Sequence, residues 1–473
     1  MAPAPSQRRV LEALLPWLVG VAGAALFLRP LLAAPGASVL DRVFWHDSLL
    51  NIDILADLYA NLSRGPDGEG FYDWLYAGRL FFPQPRPLVT SELLLLPALL
   101  TYWLKSEPVL AHNLVLFGAL VLDCVAGARL ARTLGATPVA ATAAGAAFTF
   151  CAYTNFVSAR VQLVALFPLA FALDAVVRWA RTGGWREAWA ASLWTAAQAL
   201  LCLYYALFLA LLLPLVTIAA RAALPRAGLR RDATRLAVTL GTVFAPLVAL
   251  LWPFRQLRSE LGLVRNYSEV VGQSGDPSMF FWADASTLWG AVLADRLRWD
   301  SAYFPGLTVL AGAFAAVVLW ACRDPKLRGP MVGLALLGAA GGLLDVSVAL
   351  VAFAAAVVWL VALARRGRVS QAAPLVALLA LVGLFLFLGP KPQAFGRPIG
   401  HSPFQLLYFH APFFDGLRMI RRAGVLVQLA LCLAAALALT RLERRRHGPA
   451  LVAALVVAVL VEGLPFAIGA QPV

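Results

Sequence analysis

Apolar residues in this chain come in long, nearly uninterrupted runs, without the strict alternation of half-buried strands. A run of about 17 to 25 apolar residues crosses a ~30 Å hydrocarbon layer as a helix. Thirteen segments read as spans: 11–33, 109–131, 138–156, 162–179, 187–202, 203–222, 234–253, 305–322, 331–345, 346–364, 373–389, 422–441 and 449–467. Lipid offers no hydrogen bonds, so each span must satisfy its own backbone as helix. The predicted fold is therefore all-α, a polytopic transmembrane helix bundle forming one integral membrane domain over residues 1–473.

The arginines orient it. With the N-terminus in the cytoplasm, the clusters Arg129/Arg132, Arg178/Arg181/Arg186, Arg221 to Arg235, Arg323/Lys326/Arg328, Arg365/Arg366/Arg368 and Arg441 to Arg446 all fall on the cytoplasmic face. The segment Leu88 to Leu104 is apolar but carries Glu92 and Pro97, and counting it as a span would invert every later cluster. It is read as a juxtamembrane or re-entrant helix at the outer surface. Two predicted hairpins, near Leu201 to Tyr205 and Gly341 to Asp345, have almost no loop and are required by this charge parity. The outer face then carries three substantial loops, 34–108, 254–304 and 389–421. The protein is expected in the cytoplasmic membrane, in contact with the lipid bilayer.

Composition agrees. The 473 residues are 61% hydrophobic and 14% charged, against roughly 45–50% and about 25% for soluble domains. A formal charge of +14 would suggest nucleic acid in a soluble protein. Here the basic residues sit between apolar runs, so no nucleic-acid partner is expected. The five cysteines, Cys124, Cys151, Cys202, Cys322 and Cys432, lie far apart in apolar segments with neither disulfide nor zinc spacing. The stretch from Leu11 to Ala33 is long for a signal core, and a retained first span is expected.

Candidate chemistry concentrates in the first outer loop. In HDSLLNIDILADLYANL, Asp47 stands at the predicted start of a helix, where it reads either as an N-cap or as a base. Asp53 and Asp57, four residues apart, share another face that reads as a wet carboxylate surface. Glu92, in TSELLLL after a proline-rich turn, is costly near lipid unless it faces a polar cavity or a partner. Arg79 and Arg86 bracket FFPQP and suit either phosphate oxygens or snorkelling to head groups.

At these residues the chain resembles the GT-C superfamily of membrane glycosyltransferases, which includes protein O-mannosyltransferases and aminoarabinose transferases. The likeness lies in an acid soon after the first span (Asp47 in HDSLLN), juxtamembrane helices, and a second acid before the next span (Glu92 in FFPQPRPLVTSELL). It continues through GARLARTLG, CAYTNFVSAR, CLYY and LRMIRRAG. It covers most of the chain, though each motif is short. The resemblance implies transfer of a sugar from a polyprenyl-phosphate donor to a glycan, lipid or protein acceptor outside the cytoplasm, usually with inversion. His46 departs from the glycine common in relatives, and no large domain follows the last span.

Such a transfer needs a base for the acceptor hydroxyl and cationic stabilisation of the phosphate leaving group. Asp47 and Glu92 are the catalytic candidates. Arg79, Arg86, Arg160, Arg418, Arg421 and Arg422 are candidates for the lipid phosphate, with His46, Asp53, His401 and His410 lining the same crevice. No metal motif is visible, and a divalent cation is the sole cofactor left open. Two other classes stay in view: a transporter or lipid flippase, for which Asp123 and Asp345 speak, and a membrane O-acyltransferase, for which His112 is the one suitable histidine.

Overall fold

The computed structural model describes residues 5–473 apart from 43–44, 69, 80–85, 87, 89–93, 106, 224–227, 263–265, 294–301, 324–345, 401, 412 and 467. Helix α1 (Pro5–Phe27) leads through a 3₁₀ turn to strand β1 (Ser38–Asp41) and then α2 (Trp45–Arg64), α3 (Phe71–Leu75) and α4 (Leu95–Leu104). Next come α5 (Pro108–Thr133), α6 (Pro138–Thr149), the short α7 (Ala152–Val157) and α8 (Val161–Val164), α9 (Phe167–Thr182), α10 (Trp185–Leu201), α11 (Leu203–Ala223) and α12 (Leu229–Leu261). The second loop holds α13 (Tyr267–Gly272) and α14 (Gly290–Leu293), followed by α15 (Leu307–Arg323), α16 (Val346–Arg365) and α17 (Ala372–Leu388). The hairpin β2 (Gln393–Ala394) and β3 (Arg397–Pro398), then α18 (Phe404–His410), α19 (Gly424–Glu443), α20 (Gly448–Gly463) and β4 (Gly469–Pro472) complete the chain.

Among the described residues, six helices are long and apolar enough to cross a membrane: Val10–Phe27, Pro108–Thr133, Val161–Thr182, Leu203–Ala223, Arg230–Leu257 and Ile420–Glu443. Shorter apolar helices cover Leu307–Trp320, Leu350–Arg365, Ala372–Leu388 and Gly448–Gly463. Large apolar side chains face outward, among them Leu11, Leu18, Phe314, Val351, Val358 and Val457, a surface that suits hydrocarbon and not water. The chain is a helical bundle built for a bilayer. Helix α4, with ten residues and a length of about 15 Å, is too short to cross one. The predicted span 331–345 and Asp345 fall outside the described residues.

One predicted span is broken where the sequence suggested continuity, and the predicted hairpin near Leu201 to Tyr205 turns on a single residue. The segment 138–156 ends its first helix at Thr149, and Cys151 is extended (φ −137°, ψ 168°) before α7 begins. Asn155 satisfies the freed backbone, donating to the carbonyls of Cys151 (3.0 Å) and Gly463 (2.6 Å). α6 can sit tightly against α5 because Gly145 faces it: a Cβ there would lie 2.1 Å from the carbonyl oxygen of Cys124. Small residues at such crossings let helix backbones approach closely. Between α10 and α11 a single extended residue, Cys202 (φ −151°, ψ 113°), reverses the chain. The far end of α11 returns to the turn between α9 and α10, since Arg221 donates to Ala180 O in the last turn of α9 and Arg235, on α12, to Gly183 O.

Polar contacts separate into the two ends of the bundle. At one end Asp174 binds Arg129 and Arg178 (both 2.9 Å), Asp232 binds Arg221 (3.3 Å), and Glu443 accepts from the Ala140 amide (2.9 Å). The other end carries the loops. There β1 pairs antiparallel with β4, Ser38 opposite Pro472, and Arg29 donates to Phe466 O (2.7 Å). Tyr76 donates to Leu250 O (2.5 Å), docking the first loop onto α12.

Candidate site at the loop-bearing end

The first loop presents α2, a helix free of glycine and proline with Asp47 in its first turn and Arg64 in its last, each charge suited to its end of the helix dipole. Because α2 begins at Trp45, Asp47 lies inside the first turn and not ahead of it as an N-cap. Its carboxylate Oδ2 accepts from Arg160 Nε at 2.5 Å, across 113 residues of sequence. Neighbours fix this meeting: the Ser48 hydroxyl donates to Ala159 O (3.0 Å), and the Arg160 carbonyl caps α8 by accepting from Leu163 N (2.8 Å). One turn earlier, Arg42 donates to Asn155 O and to Asp284 Oδ2, both at 2.6 Å, tying the first loop to the second.

Beside Arg160 lies a group of tyrosines. The Tyr153 and Tyr205 hydroxyls share a hydrogen bond of 2.6 Å, and the Tyr153 ring stacks on Tyr303 with centroids 5.0 Å apart. Tyr303 donates to Arg421 O (2.8 Å), at the 3₁₀ turn Ile420–Ala423 that leads into α19. From this turn Arg422 reaches over the Tyr204 ring, 4.4 Å from its centroid, and contacts Met419 Sδ. Tyr153 stands within electrostatic reach of both Arg160 and Arg422. No carboxylate pairs with Arg422 among the described residues; the Tyr204 ring lies against it, and Tyr153, Cys202 and Tyr205 stand nearby. Arg418 donates its amide to the Tyr204 hydroxyl (3.3 Å) and pairs with Glu269 (3.6 Å).

Segments HDSLLN, CAYTNFVSAR, CLYY and LRMIRRAG thus converge on one place, bringing Asp47, Arg160, Arg418, Arg421 and Arg422 together. The other candidates lie apart from it or outside the described residues. Asp57 is buried, not wet, and accepts from the amide and Nε of Arg79, both at 2.9 Å. That hydrogen bond, reinforced by its charge, pushes the exposed Arg79 guanidinium above the ordinary arginine pKa. Arg86 pairs with Asp73 (2.6 Å) and donates to Gln256 (3.3 Å). These two arginines bind the first loop's own acids and α12, where the sequence suggested lipid phosphate. Asp53 and His46 are exposed, the latter 4.0 Å from the Trp45 ring, and His410 is exposed at the end of α18. Glu92 and His401 lie outside the described residues, so a meeting of Asp47 with Glu92 is not described.

Sequence reasoning missed Arg42, Asp284 and the tyrosines as individuals. A tyrosine pair in the apolar CLYY run was the available signal, since a buried phenol needs a partner. Two intramembrane candidates have structural employment. Asp123 is buried and accepts from the Leu166 amide (3.0 Å), capping the N-terminus of α9 from a neighbouring helix. His112 is buried with Nδ1 3.2 Å from Asn113 Oδ1, and Asn113 in turn donates to Pro35 O and Ser38 O. Among the described residues no group of three or more His, Cys, Asp or Glu is placed to hold a metal.

Fold and site together define a helical membrane bundle with a tyrosine- and arginine-lined polar site at one end. No protein-family model matches the chain, and no curated protein or solved structure matches it either.

Proposed function

We propose that this protein is a GT-C type glycosyltransferase that moves a sugar from a polyprenyl-phosphate donor to an acceptor at the loop-bearing end of the bundle. On this reading thirteen spans, the N-terminus inside, set that end on the outer face of the cytoplasmic membrane. The observation that carries the proposal is Arg422, a guanidinium packed among tyrosines with no carboxylate partner among the described residues, across Tyr153 from the Asp47–Arg160 pair. An uncompensated cation sunk in a membrane protein is costly, and an anionic ligand removes that cost. Tyrosine hydroxyls beside it add donors for phosphate oxygens.

Asp47 acts as base. Its Oδ2 is held by Arg160, while Oδ1 has no partner among the described residues and receives the acceptor's proton. As the acceptor oxygen bonds to the anomeric carbon, the bond from that carbon to phosphate breaks, and the lipid phosphate leaves as an anion stabilised by Arg422. The acceptor is a glycan, lipid or protein hydroxyl. Asp123, one of the two acids that speak for a transporter, is spent on a helix cap, which weighs against that alternative.

The test is radiolabel transfer in proteoliposomes supplied in turn with different polyprenyl-phosphate sugars. Label should reach an acceptor fraction with the wild type and not with Asp47→Asn. Absence of transfer from every donor, or equal transfer by Asp47→Asn, would overturn the proposal.

A further inference from the structure

The third loop carries a second feature, unrelated to the tyrosine site. Four large apolar side chains stand out from it: Phe395 is 76% exposed, Leu406 62%, Phe409 63% and Phe413 48%. Phe395 and Phe413 both occupy left-handed backbone (φ 52° and 70°), a region where bulky residues are rare and strained. The strained turn at Phe395 is clamped. Buried Asp276 accepts from the Phe395 amide (3.0 Å) and from the Gly396 amide (2.7 Å), so the β2–β3 hairpin presents Phe395 on a fixed arm.

α18 is fixed as firmly. Phe404 and Tyr408 are buried, the Phe404 ring 6.4 Å from Phe385 in the last turn of α17 and the Tyr408 ring 5.1 Å from Tyr267. Leu406 and Phe409 are exposed, Phe409 with one side of its ring stacked on Tyr267 at 5.5 Å between centroids. Segment 267–276 supports both elements, through Tyr267 and Asp276, and it abuts the end of α17 where the Gly275 amide donates to Phe387 O (2.7 Å). Both therefore sit beside the end of an apolar helix, and the ends of helices that span a bilayer lie where hydrocarbon gives way to head groups. Exposed Lys391 precedes the hairpin, exposed Arg397 lies in β3, and exposed Arg418 follows α18.

We propose that the β2–β3 hairpin and α18 form a rigid wedge inserted into the leaflet at this end of the bundle, Phe395, Leu406 and Phe409 among the acyl chains and Lys391 and Arg397 against anionic head groups. Aromatic and aliphatic residues rimmed by Lys and Arg are the pattern of interfacial elements. The basic rim complements anionic lipid, and the apolar face continues the bundle's own lipid-facing exterior. This inference does not depend on glycosyl transfer.

Nitroxide labels at Phe395→Cys and Phe409→Cys test it, in full-length protein carrying Cys322→Ala and reconstituted in nanodiscs of mixed phosphatidylcholine and phosphatidylglycerol. Cys124, Cys151, Cys202 and Cys432 are buried. Collision with oxygen should exceed collision with a water-soluble nickel chelate at both positions, with the reverse at exposed Asp67→Cys. The double variant Lys391→Glu/Arg397→Glu should shift the Phe395 label toward the water-soluble quencher in the anionic discs and less so in pure phosphatidylcholine. Dominant nickel access at either position would overturn the wedge, as would low access to both quenchers, the mark of a protein-covered surface. Leu406→Cys supplies the α18 reporter if Phe409→Cys fails to fold.

Discussion

Arg160 grips Asp47 through a 2.5 Å hydrogen bond between side chains that lie 113 residues apart in sequence. The pair joins the first loop to the break between α7 and α8. If Asp47 is the base, Asp47→Asn should lower transfer by roughly 10² to 10⁴-fold, the usual cost of lost general-base catalysis, with protein abundance unchanged. A purely structural Asp47 predicts activity that survives, because asparagine's carbonyl oxygen can still accept the Arg160 hydrogen bond.

Arg422 should govern donor affinity. A charge-assisted hydrogen bond is worth about 1.5–3 kcal/mol, so Arg422→Gln should cut kcat/KM for the donor by about 10- to 150-fold. Because Arg422 holds both the bound and the departing phosphate, the loss should appear in KM and in kcat, with Arg422→Lys intermediate because it keeps charge without the fork. Titration of polyprenyl-phosphate sugar against fixed acceptor measures this; an unchanged donor KM would remove Arg422 from the phosphate site.

Asp123 separates transferase from transporter. As the cap of α9 it accepts from Leu166 N, a role asparagine's carbonyl oxygen can also fill. Asp123→Asn should therefore leave function intact, while Asp123→Leu, which leaves that amide unpaired, should destabilise the protein by about 1–3 kcal/mol. Thermal unfolding in detergent reads the second effect. Loss of function in Asp123→Asn with normal stability would favour ion coupling instead.

Packing makes its own demand at Gly145. A Cβ there meets Cys124 O at 2.1 Å, whereas at Gly118 nothing lies within 4 Å. Gly145→Val should abolish folded protein by size-exclusion profile and Gly118→Ala should be tolerated. Equal behaviour of the two would contradict the tight α5–α6 crossing.

Topology is open to direct labelling. A cysteine at exposed Asp67 should react with an impermeant maleimide in cells lacking an outer-membrane barrier, and reporter fusions at Lys105 and Arg132 should fall on opposite sides. Reaction at Asp67 only after lysis would invert the orientation.

The runs of apolar residues determined the helical class and the placement of most helices, because hydrocarbon thickness and backbone hydrogen bonding are local constraints on a single segment. The grouping of Arg129, Arg178, Arg221 and Arg235 at one end was legible for the same reason, since each sits at the end of its own helix. What the pattern could not show was which loop residues meet. Asp47 with Arg160, Arg42 with Asp284 and Arg422 with Tyr204 are pairings over more than a hundred residues, and their partners carry no spacing signal. Arg79 and Arg86 looked like phosphate ligands in sequence, yet Asp57 and Asp73 occupy them in the fold. Side-chain chemistry proposes an anion for each arginine; only the path of the chain through the breaks at Cys151 and Cys202 decides which arginine meets a carboxylate and which stands among tyrosines.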